Sequence, residues 1–258
     1  MIRRRGSAKD RTAGPLGVVS SAIFAAVVLV VVAAVYALVT GDRFAATDPG
    51  LATPVGSLPA GTQPPAAAVR AFEALVRRAD RTFHVDTTTE VTVADTIVTV
   101  ASSLDHAGPA YAGTIDVTSP NKQSHDEIVT IPPTSYVRET GAWRSGDAPK
   151  RSLDPFAALT LTTPVADLGI DVVDGQPLHH LRLALLPVDT TFAPEVKQVV
   201  YVSTSFDVWV NDAGTPLSAD FLLRGRAVMS EKAVELTIHA TFTFSRVGVP
   251  ITITAPTG

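Results

Sequence analysis

Residues 234–244 read Val234-Glu235-Leu236-Thr237-Ile238-His239-Ala240-Thr241-Phe242-Thr243-Phe244. Apolar and polar side chains alternate through the whole run. Successive side chains of a strand point to opposite faces, so this period of two specifies a β-strand with one face in a core and one in water. Eleven residues exceed the usual five or six, a length that suits a strongly curved sheet.

The same period governs the flanking chain. Phe206 to Asn211 reads as a strand, Asp212-Ala213-Gly214-Thr215 as its turn and Leu217 to Arg224 as the return. Gly248-Val249-Pro250 makes a bend, after which Ile251 to Thr254 is expected to close the chain as a short edge strand. Far upstream, Phe83, Val85, Thr87, Thr89, Val91 and Val93 point one way, and His84, Asp86, Thr88, Glu90 and Thr92 the other. Thr96 to Leu104, Tyr111 to Thr118, Ser124 to Ile131 and Thr134 to Glu139 follow as strands, with Pro132-Pro133 breaking the pattern before the last. Asp167 to Asp174 and Leu178 to Leu186 flank the turn at Asp174-Gly175. Val188 to Ser205 admits two readings, since Pro194-Glu195 could open a helix while Val199 to Val202 is strand-like.

Two segments depart from this period. From Ala66 to Arg81, Val69, Phe72, Val76 and Ala79 recur with helical spacing, Leu75 widens the stripe, and Arg70, Glu73, Arg77, Arg78 and Asp80 occupy the other side. Pro65 suits the first turn of this helix, where its missing N–H is not needed. Asp154-Pro155 before Phe156 to Leu159 predicts a second, short helix with Asp154 as its N-cap.

The N-terminal quarter is different in kind. Leu16 to Thr40 is apolar and free of charge, long enough as a helix to cross a bilayer core of roughly 30 Å. Arg3, Arg4, Arg5, Lys9 and Arg11 precede it, which predicts a cytoplasmic tail and an exported C-terminal part. A cleaved signal peptide is the competing reading, but its apolar region is usually about 7–15 residues. Val35-Tyr36-Ala37 is also a poor cleavage match. Prolines at 49, 54, 59, 64 and 65 then mark a semi-extended linker. The expected organisation is a basic tail (1–15), a transmembrane helix (16–40), a Pro/Gly-rich linker (41–65) and one extracytoplasmic domain (66–258).

Composition narrows the chemistry. The chain has 258 residues and no cysteine, which excludes disulfides, thiolate metal sites, a Cys nucleophile and lipobox acylation. Its net charge is −4; the tail carries +4, so the remainder carries −8. An acidic domain argues against a nucleic-acid partner and against docking on anionic headgroups.

One family resemblance rests on dispersed motifs. They are Tyr136-Val137-Arg138 with Gly141-Ala142-Trp143, then Asp154-Pro155-Phe156, and Leu168-Gly169-Ile170 through Gly175 to His179-His180-Leu181. Phe206-Asp207-Val208-Trp209-Val210-Asn211-Asp212 with Gly214-Thr215-Pro216 follows, then Phe244-Ser245, Gly248-Val249-Pro250 and Ala255-Pro256. In order and spacing these resemble the LolA-like half-barrel superfamily, and within it the LppX/LprG-type lipoproteins of mycobacteria, over residues 66–256. The resemblance implies an α+β fold: a curved antiparallel half-barrel sheet wrapped around one N-terminal helix and short internal helices, here preceded by the transmembrane helix. It also implies a lipid or lipid-modified ligand held between sheet and helix. This chain departs from the LppX/LprG type in lacking the acylated Cys.

On this reading Phe72 and Val76 of the helix face Phe221, Leu223, Ile238 and Phe242 across an apolar ligand space. The alternative is a non-catalytic cell-envelope module with a filled core that presents its surface to a protein partner. No nucleophile elbow, zinc-protease motif, phosphate loop or readable carboxylate pair occurs, so no enzyme, cofactor or metal is expected. His179 and His180 face opposite sides of a strand and do not make one ion site; they read as a strand–turn boundary. His125-Asp126-Glu127 lacks ligand spacing, His84 and His239 fall on polar faces, and Asp212, which flanks Trp209 with Asp207, reads as a turn residue.

Overall fold

A computed structural model of the chain describes residues 67–93, 96–148, 153–156, 165–183, 196–229 and 232–257. The described strands form one antiparallel sheet: β1 (Thr82–Val93), β2 (Thr96–Ala107), β3 (Ala110–Ser119), β4 (Lys122–Ile131), β5 (Thr134–Arg138), β6 (Arg144–Asp147), β7 (Val165–Val173), β8 (Gln176–Leu183), β9 (Val196–Val210), β10 (Pro216–Met229) and β11 (Lys232–Ser245). Their order is β6-β5-β4-β3-β2-β1-β11-β10-β9-β8-β7. The last strand in the chain thus sits in the middle, where β11 joins β1 with Val91 opposite Ile238 and Val85 opposite Phe244. Register shifts between β9 and β10, and between β7 and β8 at Asp167/Gly169, add local bends.

This architecture corrects the α+β expectation. Among the described residues there is a single helix, α1 (Ala67–Arg77), so the fold is a large antiparallel sheet with one short helix rather than a half-barrel wrapped around several. The short helix expected from Asp154 is a turn at Pro155-Phe156, closed by Asp154 Oδ1 accepting from the Phe156 N–H at 2.8 Å. Residues 157–159 of that expectation lie outside the described residues. Ile251 to Thr254, expected as a short edge strand, is not a strand and joins neither edge of the described sheet. No helix among the described residues is long and apolar enough to cross a membrane, and the run 16–40 expected to do so lies outside them.

Helix α1 buries Ala68, Val69, Phe72 and Val76. It ends at Arg77 rather than Arg81, leaving Ala79 exposed. Beyond that end Arg81 Nη1 donates to the carbonyls of Val76 at 2.9 Å and Arg78 at 2.8 Å and so satisfies groups left open there. Two turns fix where the helix lies. A Cβ on Gly214, in the β9–β10 turn, would come within 2.5 Å of Phe72 N and 2.6 Å of Ala68 O. One on Gly108, in the β2–β3 turn, would come within 2.9 Å of Ala79 O. Between these turns run β10, β11, β1 and β2. Eleven residues of helix reach about 16 Å, close to three strand spacings, so α1 lies across one end of the sheet's central strands.

Candidate ligand-binding face

The face of the sheet that shares its buried cluster with α1 is apolar over most of its width. Phe83, Val85, Val91 and Val93 of β1, Leu236, Ile238, Ala240 and Phe244 of β11, and Ala219, Phe221 and Leu223 of β10 belong to one buried cluster. Phe206, Val208 and Val210 of β9, Leu181 and Leu183 of β8, and Val98 and Leu104 of β2 extend it to both sides. Phe156 inserts from its turn, with its ring centroid 5.8 Å from Phe72 and 5.0 Å from Phe244.

All six residues read from sequence as lining fall in this cluster or against it. Phe72, Val76, Phe221, Leu223 and Ile238 are buried, and Phe242 is half-buried against them. They occupy the packed centre. The apolar face is less covered at its flanks, where Val100, Ile115 and Ile128 on one side and Val165 on the other are only partly buried. At the far edge Ile170 and Val172 are 64% and 74% exposed.

Within this face runs a row of polar side chains that sequence reasoning passed over. Phe83 stands opposite His106, His106 opposite Tyr111, Tyr111 opposite Thr130, and Thr130 opposite Ser135. All four polar members are buried. The hydroxyls of Thr130 and Ser135 bond each other at 2.9 Å. His106 is 0% exposed and stacks on Phe83 at 4.6 Å between ring centroids, and neither of its ring nitrogens has a hydrogen-bond partner. Burial, assisted by the nearby Arg81 guanidinium, pushes the imidazole down to about 3, so it is neutral at neutral pH. The parity of β2, which puts Val98, Leu104 and His106 on one face, was the signal available in the sequence.

Arg81 closes the row at the helix end through a buried ion pair with Asp154. Burial raises the Asp154 carboxyl above the usual range, with Arg81 and the Phe156 N–H pulling the other way.

The opposite face is polar, and its histidines pair with aspartates. His84 Nδ1 lies 2.8 Å from Asp105, His125 Nδ1 2.7 Å from Asp116, and His239 Nε2 2.6 Å from Asp220. The Asp116 carboxylate raises the His125 pKa. His179 and His180 lie inside β8 rather than at its boundary; His179 stands opposite Val210 on the apolar side and His180 opposite Trp209 on the polar one, with separate partners. His179 Nε2 is 3.3 Å from Asp212, while His180 lies 2.9 Å from Asp171 and 3.1 Å from Asp207 and stacks on Trp209. Asp207 also accepts from Arg182 at 2.7 and 3.1 Å. Among the described residues no group of three or more His, Asp or Glu side chains is placed to hold a metal ion.

No family model and no curated protein matches the chain. Solved structures similar to it include a LolA superfamily protein from Nitrosomonas europaea, at 13% identity and a TM-score of 0.29, covering 72% of this chain and 93% of that one. A DUF1329 family protein from Desulfovibrio piger is similar at 10% identity and a TM-score of 0.26, covering 72% and 92%. An outer membrane lipoprotein-sorting protein domain from Vibrio parahaemolyticus is similar at 11% identity and a TM-score of 0.27, again covering 72% and 92%. Superpositions this loose carry no argument about function, which rests on the geometry of the face itself.

Proposed function

We propose that this chain is a non-catalytic binding protein that holds a lipid or other apolar ligand against the inner face of its sheet. The observation that carries this reading is the gradation of that face. Its centre is buried, while the same apolar surface continues, half-buried, through Val100, Ile115 and Ile128. Burying apolar area is worth about 25 cal/mol per Å², so a half-covered apolar flank is a favourable place for an acyl chain. The sequence resemblance to LolA-like and LppX/LprG-type proteins supports the same ligand class. Organic extraction of the purified full chain, followed by mass spectrometry, tests the reading. Stoichiometric lipid supports it, and a lipid-free protein sinks it.

A second reading is favoured by the depth at which Phe72, Phe221 and Ile238 are buried. On it the core is filled and the polar face meets a cell-envelope protein; crosslinking to one specific partner with no bound lipid would select it. Both readings place residues 66–258 outside the cytoplasm, held at the membrane through the apolar run 16–40. Shaving intact cells with a non-permeant protease tests that placement, and protection of the domain until the membrane is opened would overturn it.

A further inference from the structure

We infer that the inner face carries a polar subsite, centred on His106, for the uncharged hydroxyl-bearing head of the apolar ligand; this rests on the binding reading above. The cross-strand row from His106 to Ser135 is a continuous line of hydrogen-bonding groups across four strands of a mainly apolar face, where Thr89 of β1 is a further buried polar side chain. Leaving a buried polar atom without a partner costs about 1–3 kcal/mol, and His106 leaves two. Arg81 Nε, at the same end of the face, is a third buried atom without an acceptor. An apolar ring of similar shape at position 106 would remove the penalty, so these atoms call for a guest that bonds them.

The chemistry of the row selects the guest. Arg81 is neutralised by Asp154, the imidazole is neutral, and Thr130 and Ser135 contribute only hydroxyls. A neutral imidazole offers one donor and one acceptor nitrogen. The two nitrogens point away from each other, so a head with two hydroxyls complements them, one donating to the bare nitrogen and the other accepting from the N–H. A carboxylate or phosphate is acceptor-rich and would add an uncompensated buried charge. The fitting ligand is thus an apolar chain with a neutral hydroxylated head, as in an acylglycerol.

The test compares retention of radiolabelled monooleoylglycerol and oleate by the full chain, wild type, His106→Phe and His106→Gln. Wild type is expected to hold monooleoylglycerol the more tightly, and His106→Phe to weaken it about tenfold, the equivalent of one or two neutral hydrogen bonds, with oleate unchanged. His106→Gln, which keeps a donor and an acceptor, is expected to stay within about threefold of wild type. Should the Phe variant not fold, the ¹⁵N shifts of the wild-type His106 ring on adding monooleoylglycerol decide, and unmoved shifts overturn the inference. Retention of both lipids without preference, unaltered by His106→Phe, overturns the subsite alone. Retention of neither lipid by wild type removes the binding reading and the subsite with it.

Discussion

Arg81 and Asp154, 73 positions apart, meet as an ion pair with only 12% and 4% of their side chains exposed. The pair joins the turn after α1 to the segment that inserts Phe156 between Phe72, Phe83 and Phe244. Asp154→Ala would leave a buried guanidinium without its counter-charge and release the Phe156 turn. Losing one partner of a buried pair costs about 3–5 kcal/mol, and urea denaturation of the variant should show a loss in that range. A loss below about 1 kcal/mol would mean that the guanidinium finds water and the pair holds nothing in place.

His106 makes stability depend on pH. Its folded-state pKa is about 3, well below the ordinary His value of 6.5. As pH falls below 6.5 the unfolded chain takes up a proton that the native imidazole refuses, so stability present at neutral pH is lost toward acid. Between pH 7 and pH 4 this one group should account for about 3 kcal/mol. Urea midpoints of wild type and His106→Phe at the two pH values isolate it. The variant should be the less acid-sensitive, and equal acid sensitivity would place a solvated histidine at position 106.

The sheet was legible where the period of two is unbroken. Val234 to Phe244 lies within β11, and the two faces read for β1 are those found, with Val85 and Val91 buried and Asp86 and Glu90 exposed. Residues without such a period were not legible. Arg144–Asp147 forms β6 with every side chain exposed, so no apolar signal marks it. Helical spacing continues to Ala79 and so does not mark the stop of α1 at Arg77, past which Arg81 reaches back to the Val76 and Arg78 carbonyls. Alternation placed Phe221, Leu223, Ile238 and Phe242 on one face but could not say that the centre of that face is packed and its flanks less so. The Arg81–Asp154 pair is a product of topology, invisible before the 153–156 turn is set against β1.

Gly214 is where α1 presses on the β9–β10 turn. Its φ of +74° is one that side chains other than glycine adopt at a penalty, and a Cβ there would lie 2.6 Å from the Ala71 Cβ. Gly141 has nearly the same φ, +75°, with nothing within 4 Å. The pair separates backbone strain from contact. Gly141→Ala should cost about 1–2 kcal/mol for the left-handed backbone alone. Gly214→Ala should cost that plus about 1–3 kcal/mol for overpacking against the helix. Thermal unfolding of the two variants tests this, and equal losses would show that the helix can lift off the turn without penalty.

The two ends of the sheet differ in how they meet solvent. β6 is four residues long, exposed and bears Arg144 and Asp147, features that discourage pairing with another chain. β7 at the other end is nine residues long, carries Asp167 and Asp171 and an irregularity at Asp167/Gly169, and exposes Ile170 and Val172. Those two side chains add little to the native core, so Ile170→Lys combined with Val172→Lys should leave stability within about 0.5 kcal/mol of wild type. The same change should reduce self-association at high protein concentration, because charge on an edge strand opposes edge-to-edge pairing. Sedimentation velocity and urea denaturation of the double variant check both parts. A stability loss above about 2 kcal/mol would mean that β7 is covered in the native protein and is not a bare edge.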